Sequence, residues 1–159
     1  MTTYEWLLIA HLVGVFLLVA GSGAATVLGV AQGRTQSPKV MATLARLSEI
    51  SEWALIYPGF LLAIVFGSWL VDEAGFDYDA GWIVTAYVIW ALAILVGLFF
   101  LSPATKRLKR RAEELVAEGV DGSEELKRQA ASPLVGAVAM LENVAVLAFL
   151  YLMVAKPGA

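Results

Sequence analysis

Four apolar stretches, separated by three polar loops, restrict what this chain can fold into. They run from Tyr4 to Ala31, from Trp53 to Val71, from Gly81 to Leu101 and from Pro133 to Val154. Roughly 20 apolar residues at 1.5 Å per residue cross about 30 Å of hydrocarbon, and each stretch approaches or exceeds that length. Lipid offers no water to satisfy free backbone N–H and C=O groups, so each stretch must be helical. The first is longer than one crossing needs and is expected to tilt or to project beyond the bilayer. Composition agrees. Of 159 residues, 60% are hydrophobic and 16% are charged, against roughly 45–50% and 25% in soluble domains. A soluble domain of this size has too much surface to hide the excess from water. The sequence therefore predicts an all-α, integral membrane four-helix bundle, residues 1–159 forming a single membrane domain.

The charges orient it. The first loop carries Arg34, Lys39 and Arg46, and the third carries Lys106, Arg107, Lys109, Arg110, Arg111, Lys127 and Arg128. The second loop, Asp72 to Ala80, holds Asp72, Glu73, Asp77 and Asp79 and no base. Short loops rich in Lys and Arg stay in the cytoplasm. Loops one and three are expected inside the cell, and loop two and both termini outside, in a multi-pass protein of the cytoplasmic membrane. No Lys or Arg precedes Arg34, so the first stretch lacks the basic region of a signal peptide and reads as a retained span. Tyr4, Trp6, Trp53, Tyr57, Trp69, Tyr78, Trp82 and Tyr151 fall where interfacial aromatic belts are expected.

The third loop, residues 102–132, reads as helical. Ser102-Pro103 is expected to end the third span and to cap a polar helix from Thr105 to Glu118. Ser123-Glu124-Glu125 opens a second short helix. The cluster Lys106 to Arg111 reads as a positive-inside anchor, with an anionic-lipid or partner contact as its alternative.

Several chemistries are excluded. The chain has no cysteine and one histidine, His11, which rules out disulfides, thiolate sites and ordinary zinc sites. Phosphate-binding, nucleophile-elbow and nucleic-acid motifs are absent.

The informative residues are those that lipid penalises. An ionisable group at the centre of a span costs on the order of 2.5–3.5 kcal/mol on insertion scales and normally faces the bundle interior. His11 lies about two turns into the first span. Its face also holds Gly14, Leu18, Ser22, Ala25 and Gly29, and Gly21, Ala25 and Gly29 recur every fourth residue, a spacing that admits close helix approach. One reading of His11 is an axial ligand to haem iron. The other is a buried histidine hydrogen-bonded to a second helix. Glu142, next to Asn143, lies near the middle of the fourth span on a face with Val135, Val138, Ala145, Val146 and Phe149. It reads either as a catalytic, proton-relaying acid or as an interhelical hydrogen-bond partner of His11, Tyr57 or Ser68. Pro58-Gly59 should bend the second span. Glu49 and Glu52 sit at its entrance and are expected solvated or paired with Arg46.

Three segments carry a family resemblance: Ala10-His11-Leu12-Val13-Gly14 with Ala20-Gly21; Arg46 with Tyr57-Pro58-Gly59-Phe60 and Phe66-Gly67-Ser68-Trp69-Leu70; and Glu142-Asn143-Val144 with Val154-Ala155-Lys156-Pro157. In order and spacing the chain resembles a family of predicted four-span integral membrane proteins of unknown function. It is similar also to the four-helix bacterial membrane protoporphyrinogen oxidase and to copper-resistance D-type membrane domains. The resemblance to the oxidase implies His11 as a ligand of haem b. The oxidase's basic residues in its first and third spans correspond here to Ala24–Leu28 and to Thr85-Ala86, so the resemblance does not extend to that basic pair.

The sequence is thus read as a multi-pass membrane protein of uncharacterised activity, with His11 as the haem b ligand that the resemblance implies. The alternatives are a porphyrin-linked oxidoreductase, a structural subunit of a larger membrane complex and an oligomeric small transporter. Its partners are the lipid bilayer and either further copies of itself or a membrane complex, with no nucleic acid. Tyr87 and Met140 are conceivable second axial ligands.

Overall fold

The computed structural model describes residues 1–158. Among them the regular structure is helical: α1 Thr3–Arg34, α2 Pro38–Ser51, α3 Tyr57–Glu73, α4 Gly81–Val96, α5 Ser102–Ala117, α6 Glu124–Ala130 and α7 Pro133–Ala155. Four continuous helical rods, Thr3–Arg34, Pro38–Glu73, Gly81–Ala117 and Glu124–Ala155, are long and apolar enough to cross a membrane. The expected four-helix, all-α architecture is the one observed. The end of the bundle that carries α2, α5 and α6 is rich in Lys and Arg and is here called the basic end. The opposite end carries the acidic α3–α4 loop.

The helix α1 has 32 residues and is about 48 Å long at 1.5 Å per residue. A reciprocal capping box closes its start: Thr2 Oγ1 accepts from Glu5 N–H and the Glu5 carboxylate accepts from Thr2 N–H. Its last turns join the basic end, the cap formed by α2, α5 and α6, where Gln32 Nε2 donates to Ser48 Oγ at 3.0 Å in a buried contact.

Two prolines shape the next two rods. The five residues before Tyr57-Pro58 and the five before Ser102-Pro103 both form π-helical turns, Glu52–Ile56 and Gly97–Leu101. The reason is shared. Proline has no N–H to donate four residues back, and its ring crowds that carbonyl. The helix widens to accommodate it: Tyr57 N–H reaches Glu52 C=O and Ser102 N–H reaches Gly97 C=O, each five residues back. The bend expected at Pro58 is thus a π-turn within an unbroken rod. Ser102-Pro103 does not end the third helix. Helix runs through it, no side-chain cap forms, and α5 is the continuation of α4.

The glycines on α1 and α3 set the closest packing. A Cβ at Gly14 would lie 2.6 Å from Ala63 N, and one at Gly59 would lie 2.8 Å from Leu18 N. A Cβ at Gly21 would meet Ile56 at 2.6 Å. The two backbones meet where side chains are missing, which is how helices associate when lipid is as apolar as leucine. The anticipated stripe Gly21, Ala25, Gly29 is only partly used, since nothing stands within 4 Å of a Cβ at Gly29. The contact instead uses Gly14 against Leu62 and Ala63, Gly21 against Leu55 and Ile56, Gly59 against Gly14 and Leu18, and Gly67 against the His11 ring.

Two apolar clusters complete the fold. At the basic end Met41, Leu108, Ala112, Leu115 and Leu126 form a core between α2, α5 and α6. Glu49 pairs there with Lys109 at 2.6 Å, not with Arg46. The expected helix at Ser123 is present as α6, with Ser123 Oγ accepting from Leu126 N–H at 3.1 Å. At the acidic end Val71, Trp82, Ile83, Ala86 and Leu152 join α3, α4 and α7. Trp82 belongs to this core and is only 5% exposed. It is not part of a lipid-facing belt, because Phe76 packs edge-on against it and Lys156 lies over its ring. Trp6, Trp53, Trp69 and Tyr151 do face outward.

Candidate functional site

The helix α7 is held to the bundle chiefly at its acidic end, and Leu152 is its one fully buried residue. Above that anchor a gap remains between α7 and the other rods. The gap forms two cavities that share Leu18, Val146 and Phe149 as their common wall.

The acidic-end cavity measures about 440 Å³, within the roughly 300–1,000 Å³ typical of small-molecule sites. His11 lies on its wall with Gly67, Ser68, Tyr87, Trp90 and Lys156. The His11 ring packs flat against α3, in the space left by Gly67: a Cβ there would stand 2.9 Å from Nδ1. Nδ1–H donates to the Ala63 carbonyl at 2.9 Å. A carbonyl only accepts, so the proton of the neutral imidazole is on Nδ1 and Nε2 keeps its lone pair. Next to Gly67 on α3, the Ser68 hydroxyl shares a hydrogen bond of 2.6 Å with the Tyr87 hydroxyl of α4, and Tyr78 OH donates to the Ser68 carbonyl at 2.9 Å. Lys156 ends α7 in the left-handed conformation, φ 41°, the single non-glycine residue with positive φ among those described. Its ammonium lies 4.7 Å from the Phe76 ring centre. It forms no ion pair among the described residues, although Phe76 belongs to the acidic loop.

The basic-end cavity, about 390 Å³, holds Glu142 and Asn143 from α7, Ser22 and Thr26 from α1, Glu52 from the first π-turn, Tyr57 from the start of α3, and Arg107 from α5. Asn143 Nδ2 donates to Thr26 Oγ1 at 3.1 Å and to the Ala139 carbonyl at 2.8 Å. Tyr57 OH donates to Glu52 at 3.4 Å.

The residues singled out by sequence are therefore divided. His11 and Tyr87 share one cavity, and Glu142 belongs to the other. Asn143 meets α1 at Thr26, 15 residues beyond His11, so about 22 Å of helix separates the two levels. Glu142 is not a hydrogen-bond partner of His11, Tyr57 or Ser68. Met140 is 70% exposed and lines neither cavity. Lys156, named in the sequence only as part of a resemblance segment, is a further functional candidate. A lysine directly after an apolar helix, at the position where glycine is the usual cap, was the available signal.

No curated protein and no solved structure matches the chain. A family model described as "Predicted integral membrane protein (DUF2269)" matches residues 5–157. Four apolar rods and a match over nearly the whole length lead to one conclusion: the chain belongs to this family of integral membrane proteins.

Proposed function

We propose that this chain is a membrane-embedded cofactor protein that holds haem b in the acidic-end cavity, with His11 Nε2 as axial ligand. One observation carries the reading. The Nδ1–H···O=C bond to Ala63 fixes the tautomer and ring orientation that a metal-ligating histidine needs, since such ligands commonly donate their other N–H to a backbone carbonyl. The surroundings fit the group. The cavity is largely apolar, Gly67 leaves room for the ring edge, and Lys156 puts a cation on the wall for a ligand carboxylate. Tyr87 lies on the same wall, its hydroxyl held by Ser68. Leu18, Val146 and Phe149 give it an apolar wall toward the basic end. Haem b would supply one-electron chemistry at iron.

The orientation belongs to the same proposal. Seven of the Lys and Arg residues lie on the α4–α7 connection and three, Arg34, Lys39 and Arg46, at the end of α1 and on α2. The basic end therefore faces the cytoplasm and both termini face outward in the cytoplasmic membrane.

The test is the absorption spectrum of protein purified in mild detergent after expression with ample haem, oxidised and dithionite-reduced, beside His11→Ala. A Soret band with reduced α and β bands, lost in a variant that keeps its helical circular dichroism, is the expected result. A featureless visible spectrum in the wild type refutes it. The same hydrogen bond favours a second reading, because it also ties α1 to α3. In a purely structural subunit His11 would serve only that contact, and the protein would be colourless and would co-purify with partner chains.

A further inference from the structure

Glu142 sits about 14 Å along α7 from its first residue, in the middle of a rod that crosses the membrane. A carboxylate in that position is expensive unless something compensates it. Its neighbour Asn143 has two hydrogen-bond partners, whereas the Glu142 carboxylate has none, and no ion pair, among the described residues. What the carboxylate does face is the basic-end cavity. We propose that this cavity is an aqueous half-channel that brings protons from the side of the membrane bearing α5 and α6 to the Glu142 carboxylate.

The lining supports this in three ways. Polar groups line it from the basic-end mouth to the carboxylate, with Arg107, Glu52, Tyr57, Ser22 and Thr26 on the same wall as Glu142. Water that bridges such groups conducts a proton as a chain of hydrogen bonds, whereas an apolar void of the same size stays dry. The charged or titratable groups on the wall are few. Glu52 and Tyr57 come from the α2–α3 junction and Arg107 from α5, while α1 and α4 contribute none. Arg107 is exposed at the mouth, so it raises no fixed positive barrier at the depth of Glu142. The inner end is apolar. Leu18, Val146 and Phe149 line both cavities where they meet, so the proposed proton path runs by the basic end. The exchange is a simple proton transfer: a hydrated proton in the cavity protonates the carboxylate and leaves neutral water, and the reverse step restores the ion. The assignment is independent of haem binding, because it concerns the other cavity.

The absence of native cysteine makes a direct test available. Thiols react with charged methanethiosulfonates as thiolates, which form only in contact with water. Single-cysteine variants Ala139→Cys, one turn before Glu142 on the cavity wall, and Leu141→Cys, 64% exposed on the lipid-facing side, are placed in sealed vesicles. Asp121→Cys in the α5–α6 turn reports which side the basic end occupies. The expected result is labelling of Ala139→Cys by an impermeant reagent from the basic-end side only, at least tenfold faster than Leu141→Cys. In parallel, a lipid-soluble carbodiimide, which adds to protonated carboxyls, should modify Glu142 by mass spectrometry and leave Glu142→Gln unmodified. Ala139→Cys as inert as Leu141→Cys means that lipid or protein fills the gap, and overturns the proposal. Labelling from the acidic-end side, or from both sides, overturns it equally.

Discussion

Alanine at Gly14 and alanine at Gly29 should move the stability of this bundle in opposite directions. Both positions are helical, so both substitutions gain up to about 1 kcal/mol of helix propensity. They differ in what the new methyl meets. At Gly14 it would lie 2.6 Å from Ala63 N and 2.8 Å from Leu62 Cβ, where ordinary contacts begin near 3.4 Å. The obstacle is backbone, so α1 and α3 must part by roughly 1 Å, an overpacking that costs about 1–3 kcal/mol. The His11–Ala63 hydrogen bond, 2.9 Å long and one turn away, would then stretch beyond useful length. That loss adds about 0.6–1 kcal/mol in a membrane interior. The net for Gly14→Ala is a loss of about 0.6–3 kcal/mol. Gly29→Ala has nothing within 4 Å to meet and keeps the whole propensity gain. The two variants should differ by about 1.6–4 kcal/mol in detergent unfolding followed by circular dichroism and tryptophan fluorescence. If Gly14→Ala proved as stable as Gly29→Ala, the close approach of α1 and α3 and the site built on it would be refuted.

Other outcomes follow from the same contacts. Glu49, outside the apolar spans, is held below the ordinary glutamate value of 4.5 by the Lys109 hydrogen bond, against the opposing effect of desolvation. The pair's contribution, about 0.2–1 kcal/mol for a partly exposed ion pair, is complete above that ordinary value and lost as pH falls through the lower folded one. The thermal stability gap between wild type and Glu49→Gln should therefore exist at neutral pH and vanish in strong acid. Lys156→Gly should raise stability by about 1 kcal/mol by relieving the positive φ while weakening haem uptake, and equal haem titration curves would remove Lys156 from the site. Thr26→Val should lower stability by about 0.6–1.7 kcal/mol through loss of the Asn143 bond, with Thr26→Ser close to wild type in the same unfolding assay.

The four crossings were legible because length and polarity alone decide them in lipid. The inward faces were much less so. Lipid and protein interior are almost equally apolar, so no hydrophobic contrast separates the buried side of α1 or α7 from its exposed side. Small residues were the usable signal, but Gly14 and Gly29 share one face of α1, and only tertiary placement shows that the first touches α3 and the second faces a cavity. Outside the apolar zone the usual periodicity returns. Met41, Ala45 and Ser48 on α2 and Leu108, Ala112 and Leu115 on α5 recur at helical spacing and are buried, so the cap could have been read from sequence. Pro58 and Pro103 marked irregular helix, but the choice between a break and a π-turn depends on neighbours packing against both sides of the proline. His11 and Glu142 stood out as costly residues. Their assignment to separate cavities required the Asn143–Thr26 contact, which joins residues far apart in the chain.

A single histidine allows the central claim to be tested at one atom pair. Protein labelled with ¹⁵N in histidine alone reports only His11, first without cofactor and then with haem b in nanodiscs. The account predicts a protonated Nδ1 and an unprotonated Nε2 in the free protein, and an Nε2 resonance that shifts or broadens beyond detection as stoichiometric haem is added. A proton on Nε2, or a spectrum unchanged while haem partitions into the lipid, would contradict it.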